Sequence, residues 1–460
     1  MSAADLAVVG LYLAGVIAVG LGFARRGRDA ERFMGAGRSL PGWAVGLSIF
    51  GSYVSSISFL GNPGKAYSSD WTFFVFSLSV IPAAWVAVRW FIPFYRKSGE
   101  VSAYHHLEHR FGPWARTYAV VCYLLTQMAR MGAVVYLLAR AFEPLSGWSI
   151  PAVIVAVGAV MTVYTLFGGM EAVIWTGVVQ SIVLVIGAAA CVVAAVLAVP
   201  GGVSEIAREG NLSLGGPGAF AVILLYGLVI NLQNFGIDQS YVQRYITARS
   251  DDEAAKSVRG MPWIYLPVAA AFFLIGTALF VKWRGQAPVS GDQVFPHFIA
   301  NSLPAGVRGL AIAAILAAAM DSSLNSMATL TLCDLYKRYF RPNAGEREAI
   351  GVLRVSMVAW GALGTGVALL MDRRKNALDT WWELAGLFGG GMLGLFLLGL
   401  LSKRARSADA LFAVICGVAV IVGLTFSPKR LVHPLLPIVL GTVVILLAGI
   451  GVSRLRRTPA

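Results

Sequence analysis

The feature that most limits how this chain can fold is a succession of apolar runs, each close to the length a helix needs to cross a bilayer. A hydrocarbon core of ~30 Å takes about 20 residues at 1.5 Å per residue. About thirteen such segments follow one another, near residues 3–24, 41–62, 71–95, 117–140, 150–167, 173–199, 219–243, 262–283, 305–336, 350–371, 380–401, 409–426 and 434–453. Only 13% of the residues are charged, against about 25% in soluble domains. No soluble domain fits in the gaps. Lipid-embedded backbone must satisfy its own hydrogen bonds, so the runs read as helices. The expected fold class is an all-α integral membrane protein with about 13 transmembrane helices, in one domain over 1–460.

The net charge of +14 is consistent with nucleic-acid binding until its distribution is examined. Basic residues alternate sides with the helices: Arg25, Arg26, Arg28 and Arg32 after the first segment, Arg96, Lys97, Arg110 and Arg116 around the third. Arg244, Arg249, Lys256 and Arg259 follow the seventh, Lys337, Arg338, Arg341 and Arg347 the ninth, and Lys403, Arg404 and Arg406 the eleventh. Arg454, Arg456 and Arg457 close the series, with Arg373, Arg374 and Lys375 dissenting on the other side. By the positive-inside rule this predicts a multi-pass protein of the plasma (inner) membrane with its N-terminus outside and its C-terminus cytoplasmic. The charge is topology, and no nucleic acid or obligate protein partner is expected. The first segment lacks a basic start and a cleavage site, so it reads as a retained helix. Cys122, Cys191, Cys333 and Cys416 all fall in apolar segments and read as buried thiols.

Two segments are too polar and too rich in glycine for continuous helices. Residues 46–64, GLSIFGSYVSSISFLGNPG, carry several hydroxyls and end in Asn62-Pro63-Gly64. Residues 226–245 place Asn231, Gln233, Asn234, Asp238 and Gln239 at membrane depth around Gly236. The two lie five segments apart, so they run in opposite directions. That is the signature of an inverted repeat with discontinuous helices and a midplane site. A third polar stretch, Asp321 to Thr329, clusters one carboxylate and several hydroxyls inside an apolar span, which marks an ion or substrate path.

These residues resemble the sodium:solute symporter family. The resemblance is carried by FLGNPGKAY (59–67), VSAYHHLEHRFG (101–112), LFGGMEAVIWTGVVQ (166–180), NFGIDQSYVQRYITARS (234–250) and DSSLNSMATLTLCDLY (321–336). The stretch GLSIFGSYVSSISFLGNPGKAYSSDW and Arg130 in QMARMGAVVYL are most similar to the sialic acid transporter branch. The resemblance implies the five-plus-five inverted repeat of the leucine-transporter fold. Segment 3–24 would be an extra N-terminal helix, 41–199 and 219–401 the two repeats, and 409–453 two C-terminal helices. It also implies a non-enzymatic function, cation-coupled symport of a small carboxylate such as sialic acid or a related sugar acid by alternating access.

The family's sodium site lies between the first and eighth core helices, with Na+ as coupling ion. It maps onto the carbonyls of Gly51, Val54 and Ala318 and the side chains of Asp321 and Ser322. Carbonyl, hydroxyl and carboxylate oxygens suit a hard cation. The family pattern carries two adjacent hydroxyls before the Asp, and this chain lacks three residues there. Counted from upstream, Asp321 and Ser322 take the hydroxyl positions; counted from downstream, Asp321 keeps its place and the hydroxyls are missing. Relatives with a second sodium site use W-T-D, where this chain reads Trp175-Thr176-Gly177, so one sodium at most is expected. Three readings stand in order: sodium with Asp321 as a ligand, H+ carried by Asp321, or an uncoupled transporter or non-transporting sensor.

For the substrate, Arg130 deep in a helix needs an anionic partner, and its planar fork matches a carboxylate. Asp238 and Asp321 are the protein groups that could pair it instead. The resemblance places Tyr53, Ser55, Ser58, Asn231, Asn234 and Phe235 around the same substrate, with Phe235 as a gate. Tyr53 stands where a smaller hydroxyl residue is expected and points to an acid smaller than sialic acid. Each serine has the alternative of bonding its own i−4 carbonyl. Finally, His105-His106-Leu107-Glu108-His109 contains the zinc pattern H-x-x-E-H. It reads here as a cytoplasmic amphipathic helix, since no third ligand is evident.

Overall fold

The computed structural model describes residues 1–23, 29–284, 286, 289, 291–320, 323–371, 384–427 and 432–455. Among these the chain is helical, with one isolated bridge pairing Leu40 with Ala248. The apolar runs form α1 (Ala3–Phe23), a bent pair α2 (Gly42–Tyr53) and α3 (Ile57–Ser68), α4 (Phe74–Ser98) and α5 (Pro113–Glu143). They continue with α6 (Ile150–Val163), α7 (Gly169–Leu197), α8 (Pro217–Ile237), the short α9 (Gln239–Ile246) and α10 (Asp251–Trp283). The last group is α11 (Val307–Ala319), α12 (Ser323–Leu330, continuing as wider turns over Thr331–Phe340), α13 (Glu346–Met371), α14 (Leu384–Leu401), α15 (Ser407–Thr425) and α16 (Leu436–Leu455).

Against about thirteen segments expected, eleven helices among the described residues are long and apolar enough to cross a membrane, or twelve with the bent pair α2/α3. The segment expected at 150–167 is there as the first limb of a helix that spans Ile150–Leu197 and kinks at Gly169. Gly169 ends its line: at φ 55° and ψ −166° it takes a conformation closed to other residues. A Cβ there would meet Phe33 at 3.0 Å.

Burial sorts the helices into centre and rim. The span formed by α11 and α12 is 81% buried, whereas α1 is 17% buried and faces lipid along most of its length. What holds α1 in place is Asp5, whose carboxylate accepts from the N–H groups of Gly306 and Gly309 at 2.9 Å each and pairs Arg308 at 2.8 Å. An anion at the first turn of α11 complements that helix dipole.

The side of the bundle that carries the basic clusters is cross-linked. Arg96 pairs with Asp251 and donates to the Ala248 carbonyl at 2.8 Å. Gln239 accepts from the Ala103 N–H and donates to the Val101 carbonyl, each at 2.8 Å. Buried Asp334 on α12 is held by Arg116 and by Ser102 at 2.7 Å. Tyr95 donates to the Gly236 carbonyl at 2.7 Å, tying α4 to the end of α8. The opposite side is open: a cavity of roughly 180 Å³ runs from the helix breaks past Phe73, Phe76 and Ile223.

Candidate substrate and ion site

Helix α2 stops at Tyr53. Val54 leaves helical geometry at φ −85°, ψ 100°, and the chain re-enters a helix bent by 56°. The expected interruption at 46–64 is there, and irregular backbone at membrane depth is tolerated where it lines a cavity. Tyr53, Ser55 and Ser58 line this one. Neither serine hydroxyl bonds back to its own helix among the described residues.

Arg130 reaches the same cavity from α5 and donates to the Ser52 carbonyl at 2.7 Å. A cation therefore sits at the C-terminal end of α2, where the helix dipole is negative. Gln127, about one turn earlier on the same face of α5, also lines the cavity and donates to Asp238 Oδ2 at 2.9 Å. Asp238 forms the second break: at φ −73°, ψ 117° it ends α8, and its carboxylate accepts from the Ser240 N–H at 2.8 Å to cap α9. The interruption expected within 226–245 is thus there, dividing α8 from α9. Tyr241 and Tyr265 add aromatic walls, Tyr265 packing edge-on to Tyr53 with ring centroids 4.5 Å apart.

Helix periodicity divides the residues expected on α8. Ile223, Tyr226, Ile230, Gln233 and Asn234 form the stripe that faces the cavity. Asn231 and Phe235 lie on the adjacent stripe with Gly227, away from it. Asn231 is fully buried behind Tyr53, accepting from its hydroxyl and donating to Ser79 Oγ at 2.8 Å. Phe235, expected as a gate, is buried with its ring 6.1 Å from that of Tyr241. At 3.6 residues per turn Phe235 is rotated by about 100° and Asn231 by about 60° from Asn234, enough to take both off the cavity face. Asn231, expected to approach the substrate, does not line the cavity and instead supports Tyr53. Gln127 and Asp238 are cavity residues that the sequence reading did not assign to the substrate; their spacing from Arg130 and Asn234 was the available signal.

The family model for the sodium:solute symporter family matches residues 33–417. The chain belongs to the sodium:solute symporter family. It is 33% identical to the sodium/sialic acid symporter NanT of Aliivibrio fischeri, over 89% of this chain and 85% of that protein. It is 32% identical to the sodium/sialic acid symporter SiaT of Proteus mirabilis, over 92% and 90%. A solved structure of a Na+-coupled sialic acid symporter in a substrate-bound, outward-open state superposes with a TM-score of 0.90 at 30% identity, covering 99% of this chain and 98% of that one. The two broken helices, five elements apart, are those of the leucine-transporter fold. The family is one of multi-pass membrane transporters, not enzymes.

Within this symporter, Gly51 is near the end of α2 and Ala318 is buried near the end of α11, one residue short of its last before a break at Met320 (φ −75°, ψ 68°). Asp321 and Ser322, the expected side-chain ligands, lie outside the described residues. A Cβ on Gly51 would meet Ser181 Oγ at 2.5 Å, and one on Gly177 would meet Ser48 Oγ at 2.6 Å. Small residues thus let α2 and α7 touch backbone to backbone, and a carboxylate at 177 has no room. That is the physical counterpart of the missing Asp of the W-T-D pattern.

The H-x-x-E-H motif forms the helix His105–Phe111 on the basic side. Its Glu108 is taken by Arg116 at 2.8 Å and Arg338 at 2.5 Å, and these cations outweigh burial to hold its carboxyl below the usual range. Arg116 Nη1 donates to His105 Nδ1 at 3.2 Å, which leaves the proton of neutral His105 on Nε2, facing His109 Nε2 at 3.0 Å. That tautomer has no Nε2 lone pair to offer a metal. His106 is turned inward against Phe94, and burial pushes its pKa down to about 4.

Proposed function

We propose that this chain is a sodium-coupled symporter of sialic acid or a related sugar acid, working by alternating access. The observation that carries the reading is a cationic guanidinium, Arg130, in a cavity at the broken α2/α3 helix, in a chain that shares a third of its residues with two sodium/sialic acid symporters. Arg130 receives the carboxylate; Tyr53, Ser55, Ser58 and Asn234 meet the polar groups of the ring. Asn231 and Phe235 act from behind, holding Tyr53 and Tyr241 in place. Sodium is placed between α2 and the α11/α12 junction, by the carbonyls of Gly51, Val54 and Ala318 with Asp321 and Ser322. The N-terminus is outside and the C-terminus cytoplasmic, with 41–199 and 219–401 as the two repeats. The cross-linked basic side and the cavity opening away from it fit a state that loads from outside.

A second coupling ion is favoured by one observation, the loss of hydroxyls before Asp321: H+ carried by that carboxylate. Proteoliposomes separate the two. Sialic acid should accumulate under an inward sodium gradient and not under potassium. Accumulation driven by a proton gradient without sodium would replace Na+ by H+. Uptake indifferent to both gradients would overturn coupling, and ligand binding without any counterflow would make the protein a sensor.

A further inference from the structure

On the lipid-facing side of the bundle, α4 and α10 enclose a second cleft of roughly 600 Å³. Its walls include Arg89, Arg259, Trp85, Trp263, Pro93 and Pro262. None of these residues lines the central cavity. Both tryptophans are strongly exposed, Trp85 at 62% and Trp263 at 78%, and both arginines are exposed as well. Neither Arg89 nor Arg259 has a hydrogen-bond or ion-pair partner among the described residues.

The depth of the cleft is fixed by the ion pair between Arg96 and Asp251, which pins the basic-side ends of these two antiparallel helices. Arg89 lies two turns in from Arg96 and Arg259 slightly more than two turns in from Asp251, so both sit about 10–12 Å from that end. The two guanidinium groups are therefore level with each other, on the membrane face, below the loops. The turn carrying Arg89 is the widened π-type turn Ala87–Phe91, a geometry that recurs at functional sites. An arginine on the membrane face with no protein partner among the described residues is costly to leave uncompensated and calls for an anion. Tryptophan rings flank it, as they do at the headgroup level of bilayers, and Ile81, Ala84 and Leu266 form an apolar floor.

We propose that this cleft binds one anionic phospholipid of the basic-side leaflet, its phosphate held between Arg89 and Arg259 and an acyl chain lying on the apolar floor. Guanidinium forks match phosphate oxygens bidentately, and basic pockets between membrane helices select acidic headgroups. A free phosphate would use the arginines but leave the apolar floor and the tryptophans without a role, so the lipid is the source of the anion. The site is separate from the transport path and does not depend on what the transporter carries.

The test uses the full chain in detergent, offered equal amounts of phosphatidylglycerol and phosphatidylcholine, with retained lipid counted by native mass spectrometry. Phosphatidylglycerol should be retained preferentially. Arg89→Gln and Arg259→Gln should each weaken its retention by about fivefold, and the double variant by about twenty-fivefold, with phosphatidylcholine retention unchanged. Inorganic phosphate in millimolar excess should not displace the lipid. Equal retention of the two lipids, a double variant that keeps phosphatidylglycerol as well as the parent, or displacement by inorganic phosphate would each overturn the proposal. If the double variant yields no folded protein, the single variants carry the same comparison, because both side chains lie outside the packed core.

Discussion

The two helix breaks that frame the cavity are built on opposite electrostatic plans. At the first, α2 ends, and the Ser52 carbonyl of its last turn meets a cation, Arg130. At the second, α9 begins, and its Ser240 N–H meets an anion, Asp238. Each charge complements the helix end that it faces, so each break is stabilised by a group that also lines the cavity. Between them lie a positive pole at α2 and a negative one at α9, the latter bonded by Gln127. The difference teaches that the discontinuity is more than a gap in hydrogen bonding. Under the proposed function it would orient a solute that has a carboxylate at one end and hydroxyl or amide donors at the other.

The comparison breaks most severely at Arg130. Truncating a charge-paired group in a desolvated site costs about 2–5 kcal/mol, so Arg130→Ala should lower apparent affinity for sialic acid by roughly thirtyfold or more in a substrate-dependent thermal-shift titration. Arg130→Lys should recover little, because an ammonium cannot make the planar two-point contact with a carboxylate while holding the Ser52 carbonyl. Unchanged affinity in both variants would remove Arg130 from substrate binding and leave it as a cap on α2.

Tyr53 tests how the first pole is supported. Its hydroxyl donates to Asn231 Oδ1, and Asn231 passes the chain on to Ser79. Tyr53→Phe keeps the ring against Tyr265 but leaves a fully buried amide oxygen without its donor, at about 1–3 kcal/mol. The variant should unfold at lower temperature, and adding Asn231→Leu should restore part of the loss, because replacing both partners by apolar groups removes the unsatisfied atom. A single variant as stable as the parent would show that the Tyr53–Asn231 bond does not fix the ring.

How much of this was legible beforehand follows the same division. The spans, both breaks and Arg130 could be read because each is a local signal: length of an apolar run, glycine and polarity at membrane depth, a lone guanidinium. Tyr53, Ser55, Ser58 and Asn234 came through the family motif and do line the cavity. The face of α8 was not legible, since polarity marks Asn231 and Asn234 alike while a rotation of only about 60° separates their directions. Nor was the contact of α2 with α7, where Gly51 and Gly177 gain meaning only from Ser181 and Ser48 facing them.

The smallest effect expected is at the second pole, and it separates capping from charge. Asp238 both caps α9 and carries the negative charge of the cavity. Asp238→Ala removes both, and loss of an N-cap costs about 1 kcal/mol. Asp238→Asn keeps a side-chain oxygen for the Ser240 N–H and removes the charge, while Gln127 turns its amide so that its unpartnered oxygen accepts from the new NH2. The alanine variant should therefore melt lower than the parent while the asparagine variant melts near it. If the carboxylate also receives substrate donors, both variants should lose affinity to a similar extent, since neutral oxygen is the weaker acceptor. Asparagine that restores stability and affinity together would mean that the second break needs a cap and not a charge. The cavity would then have one pole, at Arg130.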